Sequence, residues 1–88
     1  MTGQEREVFQ QAIDAWGADA QSLCLLEEMA ELQDALCKYK RGRRTADDIA
    51  EEVADVGIML DQAKLIFHIE EKVEAQRARK VARVEERL

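Results

Sequence analysis

Proline is absent from this chain and glycine occurs only four times, so the two residues that interrupt helices most effectively are scarce. Ala, Glu, Leu, Lys, Arg and Gln dominate instead, a composition that favours long helices over sheets and sets the expected fold class as all-α. Long apolar runs are also missing, and no basic-then-apolar leader opens the sequence. Neither a membrane-spanning segment nor a signal peptide is therefore expected, and the expected location is cytoplasmic. Positive charge is in deficit: 13 Lys and Arg stand against 19 Asp and Glu, for a net charge of −6. That balance argues against duplex nucleic acid as a partner, since phosphate neutralisation needs a basic face. The two cysteines, Cys24 and Cys37, would lie roughly 20 Å apart along one helix, too far to pair. They fit ordinary packing in a reducing compartment. At 88 residues the chain holds one domain, residues 1–88, with a limited core of its own, which makes homo-oligomerisation an expectation.

The apolar periodicity divides the chain into about four helices. Phe9, Ile13 and Trp16 share one stripe of a short first helix that Gly17 can end. Asp19 is placed as the cap of a second helix running to about Arg41. Leu25, Met29, Leu32, Leu36 and Tyr39 form one of its stripes, and Leu23, Leu26, Ala30 and Cys37 form another. Two stripes imply neighbours on two sides. After a tight connection at Gly42, Arg43 and Arg44, Thr45 with Asp48 reads as a capping box opening a third helix. Its expected core seam is Ile49, Val53, Val56, Leu60, Ala63 and Phe67. The phase changes near His68, where a break is expected, the alternative being one continuous helix. A charged fourth helix then runs on with Val73, Val81, Val84 and Leu88 as its sparse apolar marks. The architecture expected is an antiparallel helix bundle completed by a second chain.

Two carboxylate couples stand out. Glu28 with Glu31, and Glu52 with Asp55, are each spaced so that both members share a helix face. The couples are symmetric about the Gly42 turn, so folding the helices against each other would bring them level. Two like charges about 6 Å apart at an effective dielectric near 20 repel by roughly 3 kcal/mol. Four together would require protonation or a bound cation. All-oxygen ligation without His or thiolate selects Mg²⁺ or Mn²⁺ over Zn²⁺. Mg²⁺ is usually held by a few carboxylates plus phosphate oxygens, which points towards a phosphorylated substrate.

Glu27-Glu28-Met29-Ala30-Glu31, followed after a 20-residue gap by Glu52-Val53-Ala54-Asp55, resembles the EExxE and ExxD motifs of the MazG-type all-α nucleoside triphosphate pyrophosphohydrolases. Trp16-Gly17 with Gln21, Lys40-Arg41-Gly42-Arg43 at the turn, Ile58-Met59-Leu60-Asp61-Gln62 and Lys64-Leu65-Ile66-Phe67 extend the resemblance to small, phage-like members. Similar sequences often carry Gly where this one has His68. The resemblance implies that Glu28, Glu31, Glu52 and Asp55 bind Mg²⁺, with Glu27 as an auxiliary candidate beside Glu28 and Glu31 in catalysis. The implied reaction is water attack at the α-phosphorus of a ribo- or deoxyribonucleoside triphosphate, releasing a monophosphate and pyrophosphate, in nucleotide-pool housecleaning. It also implies that Trp16 flanks the nucleobase and Gln21 reads its edge, although Trp on an apolar stripe equally suits a core or interface.

Among the cations, Lys38, Lys40, Arg41, Arg43 and Arg44 either steer a triphosphate or stabilise a helix C-terminus. Lys64 and Lys80 are further candidates for phosphate binding, as are Arg79 and Arg83, set against the ordinary role of long cations on exposed helices. The single histidine argues against a di-iron bundle, which expects two Glu-x-x-His pairs. Two alternatives stay open. One is a non-catalytic acidic helical module that dimerises and binds a partner; the other is phosphoribosyl-ATP pyrophosphohydrolysis on the same fold class. The oligomer expected is a homodimer or a dimer-of-dimers tetramer.

Overall fold

Thr2 and Thr45 determine where two of the helices begin. In the computed structural model, which describes residues 1–88, the Thr2 hydroxyl accepts from the Glu5 amide while the Glu5 carboxylate accepts from the Thr2 amide, opening α1 (Gly3–Trp16). Thr45 and Asp48 reproduce this reciprocal arrangement at the start of α3 (Ala46–Ile66), as their spacing predicts. Between them runs α2 (Ala18–Lys40), and α4 (Glu70–Arg87) follows α3. The chain is all-α.

Three residues with positive φ join the helices: Gly17 at 96°, Gly42 at 74° and His68 at 53°. Gly17 ends α1 and is at the same time the residue from which α2 starts, with no linker between them. Asp19, expected as the cap, instead lies in the first turn of α2, where its charge still faces the positive end of the helix dipole. At the end of α2 the Arg43 amide donates to the Lys38 carbonyl and the Gly42 amide to the Tyr39 carbonyl. This is the Schellman arrangement, with Gly42 in the left-handed position. The end of α3 repeats it, Ile69 N–H donating to Lys64 and His68 N–H to Leu65. The break expected near His68 is therefore present, closed by the same motif with a histidine in the glycine position.

The most extensive contact is between α2 and α3, with α1 packed against both. Near one end of that contact Gln21 of α2 meets Gln62 of α3, and both are buried. Phe9, Ala35, Val56 and Met59 are the buried apolar residues. The seam expected on α3 is only partly used. Val56 is buried, but Val53, Leu60 and Phe67 are about half exposed, and Met59 and Gln62 take the inward positions instead. Positions 56, 59 and 62 form one helical stripe, whereas 53, 60 and 67, spaced seven apart, lie on an adjacent and more exposed one. On α2 the stripe of Leu25, Met29 and Leu32 is half-buried, while Leu23, Leu26, Leu36 and Tyr39 remain open.

Helix α4 contacts α3 only lightly and buries no residue. Arg6 of α1 holds its first turn through a 2.6 Å ion pair with Glu70. The radius of gyration is 15.3 Å, against about 12 Å for a compact domain of this length, because α4 stands away from the rest. No helix is long and apolar enough to cross a membrane.

Candidate metal centre

Glu28 and Glu31 stand one turn apart on α2, and Glu52 faces them from α3. Each offers one carboxylate oxygen such that the three oxygens lie within 4.8 Å of one another. The symmetry of the two couples about the turn, legible in the sequence, is the reason: Glu31 and Glu52 occupy equivalent distances from it, as Gln21 and Gln62 do. Asp55, the fourth acid, is exposed and lies outside this close set, yet near enough for its charge to act on both Glu28 and Glu52.

The cluster is electrostatically strained. Glu28 Oε2 and Glu52 Oε2 are both buried and neither receives a hydrogen bond. Burial, followed by the charges on Glu31 and Asp55, pushes the Glu28 carboxyl above the usual carboxylate range. Glu52 is raised by the same causes in the same order, with Arg44 opposing the rise. A buried carboxylate oxygen without a donor is costly, and two side by side compound the cost. A hard divalent cation would relieve it. Six oxygens around Mg²⁺ at about 2.1 Å are spaced roughly 3 to 4.2 Å apart, so small side-chain adjustments would bring the three carboxylates onto one ion. The donor set contains only oxygen, as Mg²⁺ or Mn²⁺ prefers.

Compared with protein-family models, curated proteins and solved structures, the chain matches none. The functional reading therefore rests on the residues themselves.

The remaining candidates are dispersed. Glu27 is exposed on α2, outside the close set. Trp16 is 68% exposed at the end of α1. Gln21 is buried, and its amide donates to Gln62 Oε1 at 2.7 Å, so its side chain is engaged between α2 and α3. Lys38 pairs with Asp34 at 2.8 Å and Lys64 with Asp61 at 3.2 Å. Lys80 lies on α4 beside Val73, Val81 and Val84, away from the acids. A groove of about 510 Å³ does open at the cluster, lined by Ala30, Glu31, Asp34, Ala35, Arg44 and Glu52. Asp34 goes unmarked in the sequence reading, and Gln62 enters it only as part of the Ile58–Gln62 segment, without a role. Asp34 was discoverable as the next acid one turn beyond Glu31, and Gln62 as the residue symmetric with Gln21 about the turn.

Proposed function

We propose that the chain is a Mg²⁺-dependent nucleoside triphosphate pyrophosphohydrolase, cleaving ribo- or deoxyribonucleoside triphosphates to monophosphate and pyrophosphate. The observation that carries this reading is the convergence of Glu28, Glu31 and Glu52 with two buried, donorless carboxylate oxygens. Such an arrangement is unfavourable for the protein alone and favourable with a hard cation. The motif resemblance supplies the reaction. Mg²⁺ or Mn²⁺ held by Glu28, Glu31 and Glu52, with Asp55 beside them, would neutralise phosphate charge and lower the pKa of a bound water.

The chain's own groups then divide the work. Glu28 and Glu52, with half-buried side chains, form the drier floor of the site. Glu31 and Asp55 are exposed and adjust more freely to an arriving substrate. Glu27, next to Glu28 and open to solvent, is the auxiliary group for accepting a proton from the attacking water. Lys38 and Lys64 require release from their ion pairs to reach a triphosphate, Lys80 is exposed on α4, and Gln21 requires release from Gln62 to reach a base. Trp16 requires none.

We read α2 and α3 as antiparallel, which the pairing of Gln21 with Gln62 and of Glu31 with Glu52 supports. We also infer a homodimer or a dimer of dimers. Leu23 and Leu26 on α2 and Val81 and Val84 on α4 are each more than half exposed, a distribution that suits burial against a second copy. A non-catalytic helical module would share that assembly but would not require a divalent ion.

The test is pyrophosphate release from a panel of nucleoside triphosphates with Mg²⁺, with Mn²⁺ and with chelator, repeated on Glu31→Gln. Chelator-sensitive release that the variant loses supports the proposal. No turnover, together with no divalent-ion binding by calorimetry, overturns it in favour of the helical module.

A further inference from the structure

The turn between α2 and α3 carries five cations, and two of them have an explanation within the chain. Lys38 and Lys40 lie in the last turn of α2, where positive charge complements the helix dipole, and Lys38 is additionally paired with Asp34. Arg44 differs on both counts. It stands immediately before Thr45, the cap of α3, at the positive end of that helix, where a cation gains nothing from the dipole. It also forms neither an ion pair nor a side-chain hydrogen bond, although Asp34, Asp48 and Glu52 all lie close enough to feel its charge.

Arg44 forms one wall of the groove whose other walls include Glu31 and Glu52. The groove is thus bipolar, with carboxylates that can hold a cation at one side and an uncommitted guanidinium at the other. Thr45, Ala46 and Asp47 at the start of α3 do not line the groove. The anion-recognising group on this wall is therefore the arginine and not the helix end.

We propose that Arg44 is a substrate-binding residue that donates to a phosphate oxygen of an anion drawn to the metal that Glu28, Glu31 and Glu52 would hold, so that the groove takes a metal–pyrophosphate unit. This rests on the metal-centre reading above. The planar fork of arginine suits bidentate contact with phosphate, which a lysine supplies only as a point charge. Without a metal, the carboxylates would repel the same anion, so binding should be ordered, cation first or cation together with phosphate.

The experiment is calorimetric titration of the full chain with Mn²⁺ alone, and then with inorganic pyrophosphate in saturating Mn²⁺, for the wild type, Arg44→Ala, Arg44→Lys and Arg43→Ala. Arg43 is an exposed neighbour outside the groove wall and controls for general charge. Expected are unchanged Mn²⁺ affinity in all three variants and pyrophosphate affinity about ten- to a hundredfold weaker in Arg44→Ala, as for loss of a charge-assisted hydrogen bond. Arg44→Lys should fall between that variant and the wild type, and Arg43→Ala should stay near the wild type. If Mn²⁺ binds and pyrophosphate affinity is the same in Arg44→Ala, the role of Arg44 is overturned while the metal centre stands. Equal losses in Arg43→Ala and Arg44→Ala, or loss of Mn²⁺ affinity in Arg44→Ala, also overturn it. Absence of Mn²⁺ binding in the wild type removes the metal centre and this proposal together.

Discussion

Gln21 Nε2 donates to Gln62 Oε1 at 2.7 Å, and both side chains are buried. Their positions relative to the turn match those of Glu31 and Glu52, so the same register that makes this hydrogen bond brings the carboxylates together. A slide of α2 along α3 by one turn would bury two unpaired amides and also separate the acids. In a core whose buried apolar members are only Phe9, Ala35, Val56 and Met59, hydrophobic packing alone specifies register weakly. The polar pair supplies the specificity that the small apolar core lacks.

Gln62→Leu leaves the Gln21 amide buried without its partner, and the expected cost is about 1–3 kcal/mol. Replacing both glutamines by leucine removes the unsatisfied group, so the double variant should be more stable than either single one. Urea unfolding of the set measures this. A double variant whose loss equals the sum of the single losses would show that the two side chains act independently.

The raised pKa of Glu52 gives stability a definite pH dependence. Because the folded protein holds that proton more tightly than the unfolded chain, its contribution is most favourable at low pH and is lost as pH rises from about 4.3, the ordinary glutamate value, through the folded pKa. Glu52→Gln cannot undergo that loss. In chelator, the melting temperature of the variant relative to wild type should therefore rise between pH 4 and pH 7. A difference that stays constant or shrinks over this interval contradicts the strained-carboxylate account.

How much of this was legible beforehand follows from the reach of each interaction. The caps at Thr45 and Gly17, the left-handed break at His68 and the meeting of Glu31 with Glu52 depend on local spacing or on symmetry about one turn, and sequence carries both. Which stripe of α3 turns inward is decided by α1 and α2 together. Val53, Leu60 and Phe67 have the periodicity of a seam, yet Met59 and Gln62 occupy the interior. Likewise, the close set contains three of the four expected acids, because the exact facing of Asp55 depends on how α3 is rotated against α2, which spacing alone does not specify.

The open stripes make a prediction about assembly. If Leu23 and Leu26 are covered by a second copy, the wild-type protein should be larger than one chain by light scattering, and its melting temperature should rise with protein concentration. Leu23→Glu with Leu26→Glu should reduce the mass to that of one chain and remove the concentration dependence. A wild-type protein that is monomeric at every concentration tested, with both leucines exposed, argues against the inferred oligomer.

His68 supplies the last test. Its φ of 53° places a side-chain-bearing residue where Gly42 serves at the other turn, and a non-glycine residue there is disfavoured by roughly 1–2 kcal/mol. His68→Gly removes that strain but also gives the unfolded chain more freedom, an opposing effect of about 0.5–1 kcal/mol. The net expectation is a stabilisation of about 0.5–1 kcal/mol, whereas the β-branched His68→Val should destabilise, since such residues tolerate positive φ least. Chemical denaturation of the two variants gives opposite signs on this account. Destabilisation by glycine would instead mean that the imidazole makes a contribution exceeding its backbone strain, for example in the groove it shares with Arg6, Gln10 and Glu70, where it stands beside the ion pair that holds the start of α4.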